Sequence, residues 1–69
     1  MKLQTILWKE DDVYVIKEAI TGVTTQGSTV EEALTNLKEA VSLYVDEVPE
    51  AREIITKATT VGALSVEIP

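Results

Sequence analysis

The densest chemistry this chain offers is carboxylate chemistry. Asp11 and Asp12 are adjacent, and a second acidic run goes from Asp46 and Glu47 through Glu50 to Glu53. Paired carboxylates hydrolyse glycosides or hold two metal ions, but only where they converge in a cleft. A chain of 69 residues has little material from which to build one. An acidic turn is ordinarily a solvated turn. Nucleophilic catalysis is no better supplied. His and Cys are both absent, so a hydroxyl nucleophile would need Lys or a carboxylate as its base. Ser28, Ser42 and Ser65 sit in no nucleophile motif, and Ser28 and Thr29 have a better use as helix caps. The same absences exclude disulfides and Cys- or His-ligated metal sites. Gly22 and Gly27 fall in neither a G-x-x-x-x-G-K nor a G-x-G-x-x-G pattern. We therefore expect no enzyme: no catalytic residue, no metal site and no cofactor.

Binding is the better-supported chemistry. Twelve acidic residues face six basic ones, a formal charge of −6, and Lys2, Lys9, Lys17, Lys38, Arg52 and Lys57 are dispersed along the chain. Such a surface repels phosphate backbones and anionic membranes and favours basic partners, and it also confers solubility. Direct nucleic-acid binding is not expected. The aromatic residues are Trp8, Tyr14 and Tyr44. Trp8 and Tyr14 flank the acidic segment Glu10-Asp11-Asp12. They pack across strands, or they form an aromatic anchor beside an acidic rim of the kind that dominates interfaces. Trp8, Glu10, Asp11, Asp12 and Tyr14 are thus the candidate partner-binding residues. No apolar run approaches the roughly 20 residues needed to span a bilayer. The opening Met1-Lys2-Leu3-Gln4-Thr5 has no secretory pattern, so a cytoplasmic location is expected.

The elements that must position these residues follow from periodicity. Leu3–Trp8 reads as a strand, Lys9–Asp12 as a polar turn and Val13–Ile16 as a second strand, which makes a hairpin. A two-residue turn sets Trp8 opposite Val15, and a three-residue turn sets it opposite Tyr14. One residue of slip exchanges the faces. Thr21-Gly22 breaks the chain, and Val23–Gln26 is a third strand ended by Gly27. Thr29-Val30-Glu31-Glu32 fits a capping box, and Ser28 with Glu31 offers the same pattern one residue earlier. Apolar residues then recur at Val30, Ala33, Leu34, Leu37, Ala40, Val41, Tyr44, Val45 and Val48, one stripe of a helix that Pro49 ends. Ala51, Ile54, Ile55 and Ala58 permit a second short helix opened by Pro49. Leu64–Ile68 alternates and reads as a final strand. The expected architecture is one α+β domain over residues 1–69, in the order β-β-β-α-(short α)-β. Its antiparallel sheet has three or four strands, with helix on one face. The other face stays partly apolar, so a homodimer or higher homo-oligomer is expected.

The stretch Gly22-Val23-Thr24-Thr25-Gln26-Gly27-Ser28-Thr29-Val30-Glu31-Glu32-Ala33-Leu34-Thr35-Asn36-Leu37-Lys38-Glu39-Ala40-Val41, preceded by the polar turn and Val13-Tyr14-Val15, resembles the HicB-like antitoxin family. The resemblance covers roughly residues 1–48 and lies in the combination rather than in any one piece. Where that family commonly has Pro-x-Leu-Pro-Gly before its third strand, this chain has Glu18-Ala19-Ile20-Thr21-Gly22 and keeps only the Gly. The resemblance implies a non-catalytic protein that binds and blocks a HicA-like toxin, a small basic ribonuclease. An acidic chain suits such a partner. Many members also carry a C-terminal DNA-binding domain, for which these 69 residues leave no room. The alternative reading is an orphan homo-oligomeric scaffold without a toxin.

Overall fold

A two-residue turn at Asp11-Asp12 joins the first two strands, β1 (Thr5–Glu10) and β2 (Val13–Glu18), which pair antiparallel with Glu10 opposite Val13 and Trp8 opposite Val15. Asp11 takes a left-handed φ of 53°, a conformation that Asp tolerates better than most residues. This decides the register that the sequence left open. The computed structural model describes residues 1–69 and continues with β3 (Thr24–Gly27), α1 (Val30–Glu47) and α2 (Glu50–Lys57). The sheet order is β1-β2-β3, with β2 antiparallel to both neighbours.

The turn from β2 to β3 is organised by Glu18, whose side chain is fully buried. Its carboxyl oxygens accept hydrogen bonds from the backbone N–H of Ile20 (2.9 Å), the N–H of Thr21 (2.7 Å) and the Thr21 hydroxyl (2.8 Å). Thr21 Oγ1 in turn accepts from the Val23 N–H at 3.2 Å, and Gly22 supplies a φ of 79°. One buried side chain thus satisfies backbone donors that the turn leaves without ladder partners.

Helix α1 begins where the capping pattern places it. Thr29 Oγ1 accepts from the Glu32 N–H at 3.1 Å. Glu32 reaches back one residue further than a simple capping box, to the N–H (3.4 Å) and hydroxyl (3.1 Å) of Ser28. The two residues therefore share the cap. Thr29→Ala is expected to lower stability by about 1 kcal/mol. The Ser28→Ala/Thr29→Ala double variant should lose more, as read by urea melts, and an unchanged double variant would mean that these groups do not cap the helix.

Only Ala33, Leu37, Val41 and Val45 of the α1 stripe are buried. They are spaced four apart and meet Ile16 of β2 and Ala51 and Ile55 of α2 in a single core. Tyr44, Val30 and Val48 lie outside it, each more than a third exposed. The reason is the width of the support. The helix lies over β3 and β2 and leaves β1 uncovered, so a narrow seam suffices. The second helix does form. Pro49 precedes it in helical conformation, with φ −56° and ψ −30°. The Ala51 N–H bonds back to the Val48 carbonyl at 2.9 Å, which carries the chain from one helix into the next.

The fourth strand is a correction. Leu64–Ile68 forms no ladder, and residues 61–69 are exposed throughout. Alternating residues specify which side of a strand is apolar. They do not supply the neighbouring edge that makes an extended segment a strand.

Candidate protein-binding surface

The register sorts the hairpin side chains onto two faces. Ile16 belongs to the core under α1. Tyr14 and Glu18 share its side of β2, and directly paired residues share a face, so Leu7 and Lys9 of β1 join them. The opposite face carries Ile6, Trp8 and Glu10 from β1, Val13, Val15 and Lys17 from β2, and Thr24 and Gln26 from β3. No helix covers this second face.

The proposed partner-binding residues therefore do not form one cluster. Trp8 and Glu10 stand together on the open face, where the indole Nε1–H donates to Glu10 Oε1 at 2.8 Å. Asp11 and Asp12 form the exposed hairpin tip beside them. Tyr14 points to the other side, packs against the edge of the core and carries Lys9 Nζ at 5.4 Å from its ring centroid. A cation over an aromatic face is attracted by the ring quadrupole. Tyr14 is thus half a core residue, as cross-strand packing requires, while Trp8 lies on the open face with its indole oriented by the neighbouring carboxyl group.

Sequence reasoning missed what completes the open face. Val15 is 8% exposed although no helix lies on it. It sits between its cross-strand neighbours Trp8 and Gln26. Ile6 remains 53% exposed on the same face, so an apolar strip runs from Ile6 past Trp8 and Val15 to the acidic tip. Its signal in the sequence was the alternation Ile6-Leu7-Trp8 against Val13-Tyr14-Val15, unreadable until the turn length was known. The buried Glu18 was missed as well. The Glu-x-x-Thr-Gly spacing that makes its turn was the available sign.

No group of three Asp or Glu side chains comes together. The hollows on the surface are open grooves. One of them lies between β1 and the helices, lined by Leu3, Thr5, Leu34, Lys38 and Val41 among others. No helix is long and apolar enough to cross a membrane.

The fold and its surface define a small α+β module, a three-stranded antiparallel sheet with α1 on one face, α2 packed against α1, and an apolar strip on the other face. The chain belongs to a family of unknown function (DUF7387), whose model matches residues 2–66. It is similar to the UPF0150 protein Ta0767 of Thermoplasma acidophilum, 37% identical over 59 residues that span 83% of this chain and 86% of the relative. No solved structure matches it.

Proposed function

We propose that this chain is a non-catalytic binding protein of the HicB-like antitoxin kind, which docks and neutralises a small basic HicA-like ribonuclease. The observation that carries this reading is the open sheet face, where Trp8 lies beside Val15 and Ile6 and is rimmed by Glu10, Asp11 and Asp12. A buried aromatic anchor with charged residues at its rim is how a few side chains supply most of an interface's affinity. The formal charge of −6 steers the chain toward a basic, RNA-binding partner and competes with RNA for it. The resemblance over roughly residues 1–48 names the partner class.

The decisive experiment adds the purified chain to a small basic HicA-like ribonuclease and follows RNA cleavage. Stoichiometric loss of cleavage with formation of a complex is the expected result. Undiminished cleavage with no complex would remove the antitoxin reading. Affinity should fall as salt rises, since screening shortens the reach of exposed charges to about 10 Å at 0.1 M. Changing Glu10, Asp11 and Asp12 to Lys should chiefly slow association, because rim charges act on encounter. Trp8→Ala should speed dissociation and cost about 2 kcal/mol of binding. Stopped-flow rates beside a thermal melt of each variant separate these effects from unfolding.

Self-association is part of the proposal. It is also the whole of the second reading, an orphan scaffold, which is favoured by exposed apolar side chains in the C-terminal tail: Leu64 at 92% and Ile68 at 80%. Sedimentation equilibrium at micromolar concentration should show a dimer, and a monomer of 7.5 kDa across the range would exclude it.

A further inference from the structure

We infer that Leu64–Ile68 is a strand donated to a second copy of this chain, where it pairs with the free edge of β1. The inference rests on the self-association just proposed and specifies its means.

The two edges of the sheet are not equivalent. The Ala19 N–H donates to the Gln4 carbonyl at 2.8 Å. With the β1–β2 register, this sets Gln4, Ile6, Trp8 and Glu10 as the residues whose backbone groups face β2. The N–H and C=O groups of Thr5, Leu7 and Lys9 therefore point outward. The opposite edge is short and already occupied. The Glu18 N–H bonds the Val23 carbonyl at 2.8 Å, which sets Thr24 and Gln26 as the outward residues of β3. The Gln26 carbonyl is taken by Asn36 Nδ2 of α1 at 2.9 Å. Only β1 offers a ladder. It has six residues, no proline and an unbroken register without a bulge, so of the devices that ordinarily blunt a free edge it carries only the charges of Lys9 and Glu10 at its hairpin end.

The tail supplies what this edge lacks. Leu64-Ser65-Val66-Glu67-Ile68 alternates apolar and polar residues over a length that matches β1, with Gly62 before it as a break. A strand added beside β1 would turn Leu64, Val66 and Ile68 over the groove between β1 and α1, where Leu3, Leu34 and Val41 lie with Lys38 at the rim. In its own copy the tail makes no such contact. The Thr60 hydroxyl bonds the Gln4 side chain. Residues 58–65 sit against Gln4, Thr5, Ile6, Ala19 and Ile20 at the end of the sheet, and Val66 remains 78% exposed. Each copy thus has one unpaired strand and one unpaired edge. A two-fold pair satisfies both at once through the same contact made twice.

The test uses the full chain, isotope-labelled copies mixed with unlabelled ones, and the variant Val66→Pro, which removes an N–H at a residue that is itself exposed in its own copy. Expected are a dimer by sedimentation equilibrium and NOEs between Val66 of one copy and Leu7 of the other. Val66→Pro should weaken the dimer about 100-fold while leaving the α1 core amides as protected as before. A dimer that Val66→Pro leaves unchanged, with tail amides in free exchange, would overturn the strand donation and leave self-association standing through the open face. A monomer would overturn both, whether its tail is free or its Val66–Leu7 NOEs lie within one copy.

Discussion

Glu18→Ala lowers the unfolding free energy by about 3 kcal/mol, and chemical denaturation of the full chain measures it. The size of the loss comes from what Glu18 leaves behind rather than from the bonds it makes. The N–H groups of Ile20 and Thr21 and the Thr21 hydroxyl all point at its carboxyl oxygens inside the turn. A buried donor left without an acceptor costs roughly 1–3 kcal/mol, against about 1 kcal/mol net for an ordinary hydrogen bond. Two backbone donors lose their acceptor together, and water entering the vacated space recovers part of the cost. Glu18→Gln is the sharper comparison. It keeps the volume and one acceptor oxygen but turns an NH₂ group toward donors, so it should cost about 2 kcal/mol despite being nearly isosteric. A domain of this size has roughly 4–10 kcal/mol to lose, so either change is a large share of its stability. If Glu18→Gln melted with the parent chain, the turn would not depend on this carboxyl group.

Gly27→Ala is expected to be as damaging for the opposite reason, excess volume. A Cβ at Gly27 would stand 2.6 Å from the backbone nitrogen of Ala33 and 2.8 and 2.9 Å from Cβ and Cγ of Glu32. The nitrogen and Cβ are fixed to the first turn of α1, so β3 and the helix start must separate. Glu32 is also the residue that holds Ser28 across the cap. Overpacking of a close contact costs about 1–3 kcal/mol, and we expect the upper end because the cap is disturbed with it. Gly22→Ala separates space from conformation. Nothing lies within 4 Å of a Cβ there, but the φ of +79° is unfavourable for any L side chain, so about 1 kcal/mol is expected. Thermal melts of the two variants side by side should rank Gly27→Ala well below Gly22→Ala. The reverse order would mean that β3 is free to move off the helix.

Helix α1 was legible because its signals are local. Thr29 and Glu32 cap within four residues, and a period near four at Ala33, Leu37, Val41 and Val45 needs no knowledge of what lies opposite. The hairpin was legible as a hairpin for the same reason. Its charged turn and β-branched flanks are neighbours in the chain. The absence of His and Cys, the acidic balance and the alternation of Leu64–Ile68 are likewise properties of the residues alone.

Tertiary structure decided everything that depends on a partner element. The turn length, two residues with Asp11 left-handed, put Trp8 beside Val15 and sent Tyr14 to the core side, dividing aromatic residues that lie six apart in the chain. The placement of α1 over β2 and β3 left Tyr44 exposed and β1 uncovered, because a helix contacts the sheet along one seam and its own sequence does not say which strands lie beneath. Glu18 became a buried turn organiser only when the chain closed around it, since a carboxyl group's burial depends on donors arriving from outside its strand. Leu64–Ile68 remained extended and unpaired for the same physical reason. Alternation is written in one segment, whereas a ladder needs a second backbone edge in hydrogen-bonding reach, and none within this copy is placed there.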